Sequence, residues 1–284
     1  MDFEAHLKAT FEKFLDRSDG KVPPNLAESM AYSLLSPGKR IRPRLMLTCG
    51  AMLGLKASEL IPAAISLEMI HCFTLIHDDL PCMDDDDFRR GRPSNHKQFG
   101  EALALLAGDA LLSLAFDVFL ESPVSPLRLK EGLKHLCWAS GPRGVIGGQA
   151  AEALLHSQSS FDELKAMHLQ KTGALFQAAI LIPAAFAEVP HASPQDQALK
   201  VFSECLGFAF QIADDLEDAG GSSQGAQDPS KDPRSILSHF SFEQAQAWIR
   251  ENLRPATDEL KRLWLDQSLG LVTISDEVIR KSLL

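Results

Sequence analysis

Strand signals are nearly missing from this sequence. Tyrosine occurs once, β-branched runs are short, and alternation at period two is hardly found, which argues against a sheet-based fold. Cysteine is sparse and unpatterned. Cys49, Cys72, Cys82, Cys137 and Cys205 are an odd number without a CxxC pair, which excludes a disulfide scaffold and fits a reduced, cytoplasmic protein. The histidines are scattered, with no zinc-finger spacing. Basic charge is in deficit: 28 Lys and Arg face 38 Asp and Glu, and a net charge of −10 argues against a nucleic-acid partner. The opening Met1-Asp2-Phe3-Glu4 is acidic, so no secretory signal is expected. The longest apolar tract, Ala102 to Leu120, is interrupted by Gly108, Asp109 and Asp117, and reads as a buried core helix or helix pair with no membrane span.

What is present is alanine and leucine at helical spacing almost throughout. Helices are expected over 2–17, 25–35, 41–54, 59–79, 98–120 (broken near Gly108), 126–139, 143–156, 161–187, 194–218, 241–252, 255–268 and 272–282. Proline and glycine clusters such as Pro23-Pro24, Ser36-Pro37-Gly38 and Gly91-Arg92-Pro93 fall between them. No composition break divides the chain, so a single all-α domain over 1–284 is expected. The Gly- and Ser-rich piece from Gly220 to Ser230 reads as a mobile loop.

Two helix ends carry the wrong charge. The apolar helix before Asp78-Asp79 must stop near Pro81, so its last turn holds two carboxylates, and Asp84, Asp85, Asp86 and Asp87 follow. A helix C-terminus is the negative end of the macrodipole, where each anion is unfavourable by roughly 0.3–1 kcal/mol. The second case is the helical pattern that ends at Gly220-Gly221, whose final turn holds Asp214, Asp215, Glu217 and Asp218. One such end reads as a solvated terminus. Two of them in an otherwise apolar chain call for bound divalent metal.

The bases argue against a simple metal buffer. Lys39, Arg40, Arg42 and Arg44 crowd a loop-to-helix junction, Arg89, Arg90 and Arg92 follow the first acidic run, and Lys171 sits in an apolar helical pattern. Arginine forks and helix N-termini suit phosphate oxygens, and an unpaired buried lysine is costly. Carboxylates beside such cations make a site for a di- or triphosphate bridged by Mg²⁺. His71, Thr74 and Asp78 form a polar stripe on the apolar helix, as on a helix lining a wet site.

These residues resemble the trans-isoprenyl diphosphate synthases, the family of bacterial-type farnesyl diphosphate synthases and other short-chain polyprenyl synthases. Asp78-Asp79-Leu80-Pro81-Cys82-Met83-Asp84 with Arg89-Arg90-Gly91 looks like the family's first aspartate-rich motif, and Phe210-Gln211 with Asp214-Asp215-Leu216-Glu217-Asp218 like its second. Gly38-Lys39-Arg40-Ile41-Arg42-Pro43, Gly147-Gly148-Gln149 and Lys171-Thr172-Gly173 match further signatures in the same order, so the resemblance runs from about residue 30 to 218. It implies an all-α isoprenoid-synthase fold around a central cavity, with the acidic motifs facing each other across its mouth. Asp78, Asp79, Asp84, Asp214, Asp215 and Asp218 would hold about three Mg²⁺ ions, with Mn²⁺ as a substitute. Arg89 and Lys171 would grip an allylic diphosphate, and Lys39, Arg42, His71 and Arg90 the diphosphate of isopentenyl diphosphate. Lys171, Thr172 and Gln211 would steady an allylic cation, and Phe73 with Thr74 would limit product length, which suggests farnesyl diphosphate. The resemblance also implies a homodimer.

One departure stands out: the loop after the second motif is short and reads Lys231-Asp232-Pro233-Arg234 where the family has a Gly-Lys pair and a Lys-Ser/Thr-x-x-Pro segment, which puts Lys231 in the place of the loop lysine. The alternatives are a geranylgeranyl or geranyl diphosphate synthase, a terpene cyclase, which the Asp-rich second motif disfavours, and a non-catalytic regulatory partner of a synthase.

Overall fold

The computed structural model describes residues 2–16, 20–220 and 232–282. Residues 221–231, which hold most of the expected loop and Lys231, lie outside the described residues. In chain order the elements are α1 (Phe3–Leu15), α2 (Pro24–Leu34), α3 (Ile41–Met52), α4 (Ala57–Asp78), strands β1 (Phe88–Arg89) and β2 (Arg92–Pro93), α5 (Asn95–Phe99), α6 (Glu101–Leu120), α7 (Pro126–Ser140), α8 (Val145–Glu152), α9 (Phe161–His168), a π-helical turn (Leu169–Gly173), α10 (Ala174–Phe186), α11 (Pro194–Gly220), α12 (Phe242–Trp264) and α13 (Leu269–Lys281). Short 3₁₀ turns at Ile236–Ser238 and Leu265–Ser268 flank α12. The fold is all-α. Among the described residues the sheet is a two-residue antiparallel hairpin pairing Phe88 with Pro93 and Arg89 with Arg92.

The chain forms two compact units, one of residues 1–44 and 57–124, the other of residues 45–56 and 125–284. In the first, α4 packs along α6, with α2, α5 and α1 against them. Leu60, Ile65, Leu67, Met69, Ile70 and Phe73 of α4 are buried, as are Ala104, Ala107, Leu111, Ala115 and Phe119 of α6. Both helices are long and apolar enough to cross a membrane by length and composition alone, and the apolar stretch of α4 is 67% buried within the protein. In the second unit α10 packs on α7 and α11, and α12 and α13 close over α11. Phe176, Ile180 and Phe186 of α10, Phe202 and Leu206 of α11, and Ile249 and Leu253 of α12 are fully buried there.

Three boundaries differ from the sequence reading. The break expected near Gly108 is absent, and α6 runs through it. Gly108 instead makes room for His77: a Cβ there would stand 2.2 Å from the ring Nε2, which lies 3.0 Å from the Leu105 carbonyl. The break falls at Gly100, whose φ of +88° favours glycine and separates α5 from α6. The helix boundary expected just before Pro255 is also absent, and α12 continues through it. Pro255 and Glu251, the residue one turn earlier, are both exposed, so water can serve the carbonyl left without its helical donor. The expected helix 161–187 is divided by the π turn around Lys171.

Arg40 ties the first unit together. Its guanidinium donates to Glu68 at 2.6 Å, to Glu4 at 2.8 Å and to the carbonyls of Leu34 and Ser36. The Arg40 and Glu68 side chains are 9% and 3% exposed, so loss of one partner leaves a buried charge. Arg40→Met is expected to lower stability by about 3 kcal/mol, since it leaves the Glu68 carboxylate buried without that partner, read as a fall in denaturant midpoint with unchanged m-value.

Candidate active site

In the first unit α4 delivers His71, Thr74 and Asp78 along one side. All three are half-buried where their neighbours Ile70, Cys72, Phe73 and Ile76 are buried, which is the polar stripe expected. Thr74 donates to the His71 carbonyl at 2.8 Å, so its hydroxyl already has a helical acceptor. His71 Nε2 lies 3.5 Å from an Arg42 nitrogen. Burial holds the His71 pKa well below the usual histidine value, and the positive charges of Arg42, Arg90, Arg40 and Arg89 press it further down. The imidazole is therefore neutral at pH 7, in a field that favours an anion.

Arg90 joins this group through Gly38. Its guanidinium lies against that glycine, where a Cβ would stand 2.9 Å from a guanidinium nitrogen, and within 3.4 Å of the Ser36 and Pro37 carbonyls. Lys39 is exposed on the same loop. Arg92 lies over the Tyr32 ring at 4.1 Å and donates to Ser36.

After α4 the chain turns back so that the Asp84 N–H donates to the Asp78 carbonyl at 2.9 Å. Asp78 is half-buried and Asp84 exposed. Asp79 behaves otherwise. It is 2% exposed and accepts from Arg89 Nε at 2.8 Å, while Arg89 also holds Asp86 at 2.6 Å. Burial raises the Asp79 pKa, opposed by the Arg89 hydrogen bond and charge.

In the second unit the acidic end of α11 is built the same way. Asp215 is held by Gln211 at 2.8 Å, the Ile236 N–H at 2.7 Å and Ser235 at 3.2 Å. Burial nevertheless pushes its pKa up to about 6, those three donors notwithstanding, with Asp214 adding to the rise. Asp214 is half-buried, and Asp218 is exposed. Lys281, from the last turn of α13, pairs with Asp214 and, at 2.8 Å, with Glu217. Nothing in the motif spacing marked Lys281; the only sequence signal is a base in the chain's final turn.

Gln211 links this end to the π turn, since Thr172 donates to it at 2.8 Å. Lys171 pairs with Glu152, which no motif in the sequence marks, and Gln149 also donates to Glu152. Two glycines let the turn pack so closely. A Cβ on Gly148 would fall 2.2 Å from the Lys171 backbone nitrogen, and one on Gly207 2.8 Å from the Gly173 Cα. A π turn presents side chains out of helical phase and often marks a functional site.

Both acidic ends offer oxygen ligands, the donor set of a hard divalent cation such as Mg²⁺, and the Lys281 ammonium on Asp214 shows that the second end takes a cation. The polyprenyl synthetase family model matches residues 23–260, running through both units. The chain belongs to that family. It is 36% identical over 278 residues to the farnesyl diphosphate synthase of Bacillus subtilis (strain 168), a match covering 94% of this chain and 93% of that protein. It is also 36% identical over 271 residues to the Arabidopsis thaliana heterodimeric geranylgeranyl pyrophosphate synthase large subunit 1, chloroplastic, covering 91% and 72% of the two chains. A crystal structure of geranyltransferase from Legionella pneumophila superposes with a TM-score of 0.85 at 30% identity, over 99% of this chain and 94% of that one. This polyprenyl synthetase thus has the isoprenoid-synthase fold and short-chain trans-prenyltransferase activity.

Inorganic pyrophosphate added to the protein should raise the His71 pKa toward the ordinary histidine value, because the anion offsets the arginine charges that lower it. Imidazole NMR signals followed against pH read this directly, and an unmoved His71 titration would place the anion elsewhere.

Proposed function

We propose that this polyprenyl synthetase condenses isopentenyl diphosphate with dimethylallyl and geranyl diphosphates to give farnesyl diphosphate, in a Mg²⁺-dependent reaction. The observation that carries this reading is the division of labour inside each acidic motif. Asp79 is buried on Arg89, and Asp215 is held by Gln211, Ser235 and the Ile236 N–H, whereas Asp78, Asp84 and Asp218 are more exposed than Asp79 and Asp214 already takes a cation, the Lys281 ammonium. The first set are positioning residues, and the second would hold Mg²⁺, a narrower ligand set than the six aspartates of the motifs. When bound, Mg²⁺ neutralises charge on the departing diphosphate.

The protein's own groups supply the rest. Arg89, fixed by Asp79 and Asp86, and Lys171, fixed by Glu152, bind the allylic diphosphate. Lys39, Arg42, Arg90 and neutral His71 bind the diphosphate of isopentenyl diphosphate. The allylic C–O bond breaks with its electron pair passing to the diphosphate oxygen. Oxygens of Thr172 and Gln211 face the positive carbon until the double bond of isopentenyl diphosphate attacks it. Loss of a proton to the released diphosphate then forms the new double bond. The cation must meet that double bond before it meets water, which requires apolar surroundings.

Phe73 supports the C15 product. It stands five residues before Asp78, is 4% exposed, and packs edge-on against His77 at 5.6 Å between ring centres. A geranylgeranyl product is the second reading, favoured by relatives so named at comparable identity. A homodimer is the third element of the proposal: α6 leaves Leu105, Leu106 and Leu120 exposed, an apolar face for a second copy to cover, and a sedimenting mass of one chain would reject it.

Diphosphate release from dimethylallyl plus isopentenyl diphosphate tests the activity. Release should require Mg²⁺ and fall at least about a hundredfold in Asp78→Asn, with thermal stability kept. Asp79→Asn should lower stability as well, since it removes the buried charge of the Arg89 pair and leaves Arg89 with Asp86. A chain releasing no diphosphate with Mg²⁺ present is not the proposed enzyme. Product chromatography tests chain length: Phe73→Ala should shift products beyond C15, and an unchanged profile removes Phe73 from that role.

A further inference from the structure

Asp85, Asp87 and His96 take no part in the reaction proposed above, yet the fold gathers them. One ligand atom from each lies within 4.8 Å of the others. The β1–β2 hairpin does this. Its register places Asp87 opposite Ser94, whose N–H donates to the Asp87 carbonyl at 2.9 Å, and His96 follows in α5. Asp85 sits in a left-handed conformation with φ of +52°, its N–H bonded to the Leu80 carbonyl. Asp86, between them, is turned away to Arg89.

His96 is the informative member. It is 5% exposed, its Nδ1 lies 3.0 Å from the Ser94 hydroxyl, and its Nε2 is buried without a hydrogen-bond partner. A buried polar atom left unsatisfied costs about 1–3 kcal/mol. Histidines that bind metal through one ring nitrogen characteristically donate from the other, and Ser94 is placed to accept from Nδ1. That leaves Nε2 with a lone pair that no protein donor occupies, on a ring one of whose nitrogens lies within 4.8 Å of the Asp85 and Asp87 carboxylates.

We propose that Asp85, Asp87 and His96 form a transition-metal site for Zn²⁺, separate from the carboxylates assigned to Mg²⁺. An imidazole nitrogen with two carboxylates suits zinc, whereas Mg²⁺ prefers oxygen alone. A tetrahedral shell needs separations of about 3.3 Å, and the Asp85 and Asp87 carboxylates are exposed and so have room to rotate towards it. Lys97 now balances the charge, 2.7 Å from Asp87. Both side chains of that pair are largely exposed, so it contributes little and a divalent ion can displace it. A bound ion would pin the loop before the hairpin to the helix after it, on either side of Arg89 and Arg90.

The test is equilibrium binding of Zn²⁺ alone to the chelator-stripped full chain, without diphosphate. One equivalent should bind, and its affinity should fall at least tenfold in His96→Gln and in Asp87→Asn. It should hold in Asp84→Asn and tighten in Lys97→Met, which frees Asp87. Circular dichroism of each variant checks folding. Should His96→Gln not fold, pulsed EPR of Cu²⁺ bound to the wild-type chain takes its place, with coupling to one imidazole nitrogen expected. The proposal is overturned if wild-type chain binds no zinc, if binding is lost in Asp84→Asn but unchanged in His96→Gln, or if the copper signal lacks nitrogen coupling.

Discussion

A carboxylate at the C-terminus of a helix is repelled by the helix's own unpaired carbonyls, and this chain places two pairs of them there. In each pair the second aspartate is anchored by protein. Asp79 is buried against Arg89, and Asp215 is surrounded by Gln211, Ser235 and the Ile236 N–H. Adjacent residues on a helix point about 100° apart, so anchoring the second member directs the first to another side. The same covalent pattern thus yields one carboxylate held by neighbouring donors and one turned to another side, where a cation can reach it, as Lys281 reaches Asp214. Burial raises the pKa of both anchors, and their donors oppose that rise.

Around these anchors the cations are placed by contacts distant in sequence. Arg90 rests on the loop at Gly38, Lys171 is held by Glu152 from α8, and Lys281 reaches Asp214 from α13. Each base has a carboxylate or carbonyl to fix its direction before any diphosphate arrives. That is what separates a binding site from a charged surface. The close approach of α8 and α11 to the π turn, allowed by Gly148 and Gly207, brings Thr172 within reach of Gln211.

Much of the fold was legible because it depends on local chemistry. Helix at α4 and α11, their ends at Asp78 and Gly220, and the polar stripe of His71, Thr74 and Asp78 all follow from periodicity and breakers. Elsewhere a neighbour overrides the local signal. Gly108 looks like a helix breaker, but its hydrogen is there for His77 to pack on. Pro255 looks like a stop, but its exposed side of α12 leaves the affected carbonyl to water. The π turn at Lys171 has no propensity signature, since it comes from packing against two glycine backbones.

The all-α class, the two acidic helix ends and the basic residues that answer them can be read from the chain alone, because helix period, proline stops and charge are properties of neighbours along it. The sequence could not tell Asp78 from Asp79, or Asp214 from Asp215, since adjacent identical residues differ only in what surrounds them. Nor could it pair Lys171 with Glu152, Lys281 with Asp214, or His96 with Asp85 and Asp87. Those choices belong to the tertiary structure, where burial decides which charged groups must be paired inside the protein.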